Sequence, residues 1–155
     1  MLSRKLAVAV KNQGSSELSW RVVRWLSSLA AEGEIDPVLL FEDGAPPCLP
    51  HNVPIFQLAN AWMYDGAAIA TSLSTAKQLL RFPSVRQKAL LMWDLEWLRY
   101  ANRAWKPLHD IYGHPDLELV ARTEEHRQIA ENAWNRPVKI ISEPLDVFHG
   151  QSIIL

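Results

Sequence analysis

The strongest constraint on this chain is a pattern that occurs three times. A short apolar run ends in a polar, hydroxyl-bearing turn, and a stretch with helical spacing follows, beginning at residues 6–10, 67–70 and 117–121. Alternation of strand, polar turn and helix is typical of a parallel sheet that helices cover. Parallel sheets bind ligands outside the carboxyl ends of their strands, so we expect the three turns to gather at one edge. The sequence therefore predicts an α/β fold with a mostly parallel sheet.

Composition bounds the class of protein. A chain of 155 residues is one domain by length, and 48% hydrophobic with 21% charged residues is ordinary for a globular protein. A net charge of -1 gives no basic field, so we expect neither nucleic acid nor an anionic membrane surface as a partner. No apolar run reaches the ~20 residues of a membrane span, and the first residues do not resemble a signal peptide. The single cysteine, Cys48, fits a reducing compartment, so we expect a cytoplasmic protein.

Periodicity and turn residues divide the chain into predicted elements. The predicted strands cover residues 5–10, 37–41, 53–58, 66–71, 88–93, 117–121 and 138–142. The predicted helices cover 17–32, 74–81, 124–134 and a stretch from Asp94 towards Trp105, whereas 45–52 and 107–115 read as irregular. The run from Glu42 to Gly44 is predicted to break the second strand. Pro54 suits only the first residues of the third strand or an edge position. We predict a single Rossmann-like three-layer domain at 1–142, with a sheet of about six or seven strands, and a tail at 143–155.

The turn after the first strand contains Gly14, Ser15 and Ser16. It has one glycine where a dinucleotide-binding loop needs three, and it lacks the Gly-Lys-Ser/Thr run of a P-loop. Nucleotide binding is therefore not predicted at this turn. The two serines either cap the helix that follows or present a helix N-terminus to a hydroxyl or an anion, and the sequence leaves both interpretations open.

Two carboxylates follow the predicted strand at 88–93. Asp94 and Glu96 stand two residues apart, so their side chains diverge at a helix start, and no third metal ligand is evident. We therefore expect no metal and no cofactor. Either at least one of the two carboxylates faces a ligand, or both simply interact with the positive end of a helix dipole. His126 lies in the first turn of a predicted helix capped by Thr123, where it is a catalytic or a surface histidine.

Seven tryptophans are a high number for this length. Trp25 and Trp134 fall on apolar helix faces and are predicted to be core residues. Trp93 and Trp97 flank the two carboxylates, and Trp62 precedes a strand. Aromatic rings beside carboxylates are one way to hold a flat polar ligand such as a sugar, but they also pack small domains and bury interfaces.

Several segments resemble a known family. The runs at 66–76 (GAAIATSLSTA) and 88–97 (KALLMWDLEW) are similar to the amino-terminal domain of GT-B glycosyltransferases. Residues 117–126 (LELVARTEEH) resemble a later strand and helix of that domain, and 137–146 resemble the strand that leads to the interdomain hinge. Versions of this domain that contain a segment like residues 93–97 (WDLEW) resemble proteins that bacteriophages encode. If a phage encodes this chain, we expect it in the host cytoplasm.

The resemblance implies an acceptor-side lobe. GT-B enzymes hold the sugar nucleotide mainly in a second lobe, whose acidic donor-binding motif has no counterpart in this sequence. A single lobe would bind a saccharide or sugar nucleotide and need a second, donor-binding chain for transfer. The candidate bases are then Asp94, Glu96 and His126. The candidate ligand-binding residues are Gly14, Ser15, Thr71, Ser72, Trp93, Trp97 and Arg122.

The alternative is a non-catalytic structural or binding module on the same fold, such as a phage-associated assembly protein. Its extra tryptophans and the apolar residues 153–155 would then serve an interface with a second chain or in a homo-oligomer. A flavodoxin-like or receiver-like domain is a more distant option, because the acidic pocket and lysine of a receiver are not clearly placed.

Overall fold

A computed structural model describes residues 4–100 and 105–140 and shows an α/β fold built on one parallel sheet. Its strands are β1 (Arg4–Asn12), β2 (Ile35–Asp43), β3 (Ile55–Gln57), β4 (Ala67–Ala70), β5 (Gln87–Met92), β6 (Leu117–Ala121) and β7 (Val138–Ile140). Its helices are α1 (Glu17–Glu32), α2 (Leu73–Leu79), α3 (Trp105–Tyr112) and α4 (Glu124–Trp134), with two 3-10 turns at Leu58–Met63 and Glu96–Arg99. The predicted α/β class is confirmed.

The seven strands run parallel in the order β3-β2-β1-β4-β5-β6-β7. Side chains along a strand point alternately to the two faces of the sheet, so β1 contributes to two cores. Val8 and Val10 pack with the apolar face of α1, whereas Ala7 and Ala9 belong to the core formed with α2, α3 and α4. This arrangement confirms the Rossmann-like three-layer architecture.

Helices α1 and α4 begin and end where local signals predict. The Ser16 hydroxyl accepts a hydrogen bond from Ser19 N at 3.1 Å, and Gly33 ends α1 in the left-handed conformation with φ 75°. Thr123 caps α4 by accepting from His126 N at 3.2 Å, and Asn135 ends that helix with φ 49°. These caps use backbone groups that a helix terminus leaves without intrahelical partners.

Other predicted boundaries are wrong. The segment 107–115 is not irregular as a whole, because α3 extends from Trp105 to Tyr112. Pro107 is the third described residue of that helix. The helical stretch predicted from Asp94 is a single 3-10 turn, and residues 101–104 lie outside the described part.

The second strand also differs from the prediction. Strand β2 continues through Glu42 to Asp43, because β1 pairs with it along its whole length, up to Asn12 opposite Asp43. Pro54 precedes β3, which is an edge strand as expected. The predicted tail at 143–155 and the end of the last predicted strand at 141–142 lie outside the described residues. Within 4–100 and 105–140, no helix is long and apolar enough to cross a membrane.

Candidate functional site

The strand order places a topological switch point between β1 and β4 at the carboxyl end of the sheet. From β1 the chain moves outward to β2 and β3, then returns to place β4 on the other side of β1. The connections that follow β1 and β4 therefore diverge, and such a switch point is where open parallel sheets bind ligands. We call the segments that follow the strands the carboxyl edge: residues 12–16, 42–44, 71–74, 93–96 and 122–123.

The turn after β1 is held by its own polar groups. Gly14 N donates to Asn12 Oδ1 at 3.0 Å, and the backbone oxygen of Gln13 accepts from Cys48 N at 3.0 Å. Ser15 is exposed, whereas Ser16 caps α1. Gln13 is only 6% exposed, and its side-chain oxygen has no hydrogen-bond partner among the described residues. Sequence reasoning singled out Gly14 and Ser15 but missed Gln13, whose burial no local pattern signals.

The two predicted hydroxyls after β4 are used in a local network. Thr71 is buried, and its hydroxyl donates to Ala9 O at 2.8 Å. The Ser72 hydroxyl accepts from Thr75 N at 3.2 Å, while the Thr75 hydroxyl accepts from Ser72 N at 3.0 Å, which together form a capping box. These bonds fix the start of α2 against β1 at the switch point.

Two carboxylates approach the start of α2 from different strands. Glu96 Oε2 accepts from Leu73 N at 3.0 Å, which satisfies a free N–H at the helix N-terminus. Glu42, at the end of β2, accepts from Ser74 Oγ at 2.6 Å and from Gln78 Nε2 at 2.5 Å. Sequence reasoning interpreted Glu42 only as a strand break. Its place at the carboxyl edge depends on the strand order, which no local signal reveals.

The remaining predicted carboxylate and histidine lie apart from these contacts. Asp94 is exposed and pairs with Arg99, so it shares no contact with Glu96. His126 Nδ1 is buried and has no hydrogen-bond partner in the part of the chain that the structure describes. Among residues 4–100 and 105–140, no group of three or more His, Cys, Asp and Glu side chains is arranged to hold a metal ion.

Trp93 and Arg122 lie together, at the ends of β5 and β6. The Arg122 guanidinium lies 3.6 Å from the centre of the Trp93 ring, and its Nη1 donates to Trp93 O at 3.1 Å. The guanidinium of Arg21, on α1, lies 5.8 Å from the same ring. This is cation–π geometry, and it fixes the half-buried indole at the edge of the core next to α1.

Trp97 lies in the core rather than at the surface of the crevice. It is 7% exposed, and its ring meets Tyr112 and Trp134 edge-on, with centroids 5.1 and 5.7 Å away. Burial raises the pKa of the Tyr112 phenol, and the negative charge of Glu96 raises it further. The 3-10 turn at Glu96–Arg99 thus turns Trp97 inward while Glu96 reaches α2.

Comparisons of this chain with protein-family models, with curated proteins and with solved structures found no match. The glycosyltransferase resemblance therefore stays a prediction.

Proposed function

We propose that this chain is a glycosyltransferase-like lobe that binds an uncharged saccharide acceptor at the crevice between β1 and β4. Sugar transfer would need a second chain that binds the donor. One observation carries the proposal: the groups that line the start of α2 and the turn after β1 are hydroxyls, amides and carboxylates. These are the groups that exchange hydrogen bonds with sugar hydroxyls.

The helix N-termini at this edge argue against a phosphate-bearing ligand. A helix N-terminus attracts phosphate through its free N–H groups and its positive dipole end. Here α1 and α4 carry hydroxyl caps, and the α2 terminus has a capping box and the Glu96 carboxylate. Glu42 adds a second carboxylate beside α2. A phosphate at α2 would lose the available donors and meet two negative charges, whereas a neutral hydroxyl would not.

Several acceptor and donor groups remain available for such a ligand. Ser15 and Ser74 are exposed, whereas the Gln13 side-chain oxygen is buried. The Glu42 carboxylate oxygens each accept one hydrogen bond and can accept another. The switch-point crevice would therefore offer two hydroxyls and a carboxylate to one hydroxyl-rich molecule.

For transfer, a base must take a proton from the acceptor hydroxyl. Of the three predicted bases, Asp94 is the one we favour, because its carboxylate is exposed even though it pairs with Arg99, whereas Glu96 is half-buried. Glu96 already accepts from Leu73 N, and His126 Nδ1 is buried. Asp94→Asn would then abolish transfer in the presence of the second chain while leaving acceptor binding in place.

The test is a titration of the isotopically labelled chain followed by amide NMR shifts. We expect uncharged oligosaccharides to shift the amides of residues 12–16 and 71–74, and sugar nucleotides to do so more weakly. Glu42→Gln should weaken that binding several-fold, on the order of one hydrogen bond to a charged group. The matched control is Glu34→Gln, an exposed carboxylate between α1 and β2 at the opposite end of the sheet. Absence of shifts with every saccharide, or equal loss in both variants, would overturn the proposal.

A non-catalytic interaction module is the second candidate, and one observation favours it. Phe56, Trp62 and Met63 are 49%, 62% and 72% exposed and lie within one segment of the chain. Residues 44–64 contain no Asp, Glu, Lys or Arg. Depletion of charge together with exposed aromatic side chains is typical of the centre of a protein interface. A stable assembly without transfer activity under any donor would favour this candidate.

A further inference from the structure

We propose that a second copy of this chain pairs with β3. Two copies would meet edge to edge about a two-fold axis at Phe56, with their β3 strands antiparallel. The sheet would then continue from one copy into the other. This inference concerns the open edge of the sheet and does not depend on the proposed saccharide site.

Among residues 4–100 and 105–140, the backbone of β3 has a neighbouring strand on one side only. Strand β3 is the first in the sheet order, with β2 as its neighbour. Pro54 O accepts from Leu39 N at 2.9 Å, so the backbone groups of Pro54 and Phe56 face β2. Because successive residues of a strand point their N–H and C=O groups to opposite sides, those of Ile55 and Gln57 face outward. The edge thus presents the N–H groups of Ile55 and Gln57 and the C=O group of Ile55, whereas the C=O of Gln57 already accepts the first bond of the 3-10 turn that follows.

This set of groups is complementary to itself. In an antiparallel pair, residues that exchange both N–H···O bonds alternate with residues that exchange none. A two-fold axis at Phe56 places Ile55 opposite Gln57 of the other copy, so the Gln57 N–H of each copy can donate to the Ile55 C=O of the other. The Ile55 N–H then meets a Gln57 C=O that it shares with the first bond of the 3-10 turn. Phe56 then lies opposite Phe56 of the other copy. This is a non-hydrogen-bonded position, where side chains approach most closely. Two half-exposed phenyl rings would bury one another there.

The surface around β3 is suited to contact with an identical surface. Trp62 and Met63, in the 3-10 turn that follows β3, are the most exposed of the apolar side chains nearby. Since residues 44–64 carry no Asp, Glu, Lys or Arg, two copies meet without repulsion between like charges. Sheet edges are commonly protected by charged side chains. The opposite edge shows that protection, because Lys139 of β7 forms an ion pair with Glu118 at 2.8 Å.

Gln57→Pro is the sharpest test of the pairing. Gln57 has φ −63°, which is the value that proline imposes, and its N–H faces away from β2. Phe56 is already extended in β3, as a residue before proline prefers. Proline should therefore leave the folded copy unchanged while it removes one intermolecular hydrogen bond from each strand. Gln57→Ala, which keeps the N–H, is the matched control.

The measurement is molar mass by light scattering and sedimentation across a dilution series. We expect the unaltered chain and Gln57→Ala to have the mass of two chains. For Gln57→Pro we expect the dissociation constant of the dimer to rise by about tenfold or more. Far-UV circular dichroism should be the same for all three. A monomer at every concentration, or a dimer that Gln57→Pro does not weaken, would overturn the proposal. A chain that stays monomeric and instead binds an extended apolar peptide would also overturn the proposal.

Disulfide trapping tests the register. In a chain with Cys48→Ala, Phe56→Cys should form a disulfide between two copies, because the Cβ atoms of such a pair lie within the range that a disulfide spans. Ser28→Cys, exposed on α1, should remain a free thiol. Equal cross-linking of both variants would show random collision and would contradict the two-fold pairing at Phe56.

Discussion

Thr75 joins the start of α2 to the end of β4 through one hydroxyl, and valine would remove that hydroxyl while nearly keeping the side-chain shape. Its Oγ1 accepts from Thr71 N at 3.1 Å and from Ser72 N at 3.0 Å, and it donates to Ser72 O at 2.9 Å. Thr75 is fully buried. Thr75→Val therefore measures these hydrogen bonds with little change in packing volume.

The magnitude follows from which groups lose their partners. Thr71 N also donates to Ala9 O at 3.2 Å, so it keeps an acceptor in the variant. Ser72 N has no other acceptor among the described residues, and leaving it unpaired costs about 1–3 kcal/mol. The lost donation to Ser72 O adds about 0.5–1.5 kcal/mol. We expect the free energy of unfolding to fall by about 1.5–4.5 kcal/mol, which lowers Tm by about 3–18 °C at this chain length.

Urea unfolding followed by circular dichroism is the assay, with Thr75→Ser as the matched control. Serine keeps the hydroxyl and removes one methyl group, so we expect it to cost about 1 kcal/mol. The denaturation midpoint should therefore order the chains as unaltered, Thr75→Ser and Thr75→Val. If Thr75→Val is as stable as Thr75→Ser, the hydrogen bonds contribute no more than one buried methyl group, about 1 kcal/mol, and the expected loss is refuted.

Two further predictions concern the helical layer. Trp134 stacks between Tyr112 and Trp105, with centroids 4.4 and 5.0 Å away, so Trp134→Leu should lower the free energy of unfolding by about 2–4 kcal/mol in urea, and Trp134→Phe by less. Hydrogen bonds from Arg127 and Gln128 lower the pKa of Glu124 from 4.5 to about 2. Because the folded pKa is the lower one, this stabilisation is present above pH 4.5 and is lost as pH falls towards 2. In an NMR titration, Arg127→Gln should move the Glu124 midpoint back towards 4.5, and an unmoved midpoint would contradict that cause.

The elements that sequence reasoning located correctly depend on local chemistry. Helix α1 lies between a serine cap and a left-handed glycine, and α4 follows a threonine cap, so their bounds are encoded within a few residues of each end. Strand β6 is likewise a compact apolar run between turns. The α/β class follows from the alternation of such elements and needs no knowledge of their order in the sheet.

The errors involve contacts between distant parts of the chain. Pro107 suggested irregular structure, but α3 is stabilised by Trp105 and Tyr112, which enclose Trp134 from α4. Trp97 stands next to two carboxylates in sequence, yet its ring completes that same cluster. The hydrogen bonds that Glu42 accepts from Ser74 and Gln78 require α2 to lie near the end of β2. That proximity follows from the strand order, which a single sequence does not give.

The strand order has a consequence for how the chain is made. Strand β2 pairs with β1 and β3 with β2, and then β4 pairs with the other side of β1 and β5, β6 and β7 add in turn. Each strand that leaves the ribosome therefore meets a neighbour that has already been synthesised. Folding can proceed in the direction of translation, with β1 as the template for both halves of the sheet. In an unfinished chain, each completed strand after β1 can therefore already be hydrogen-bonded to an earlier strand.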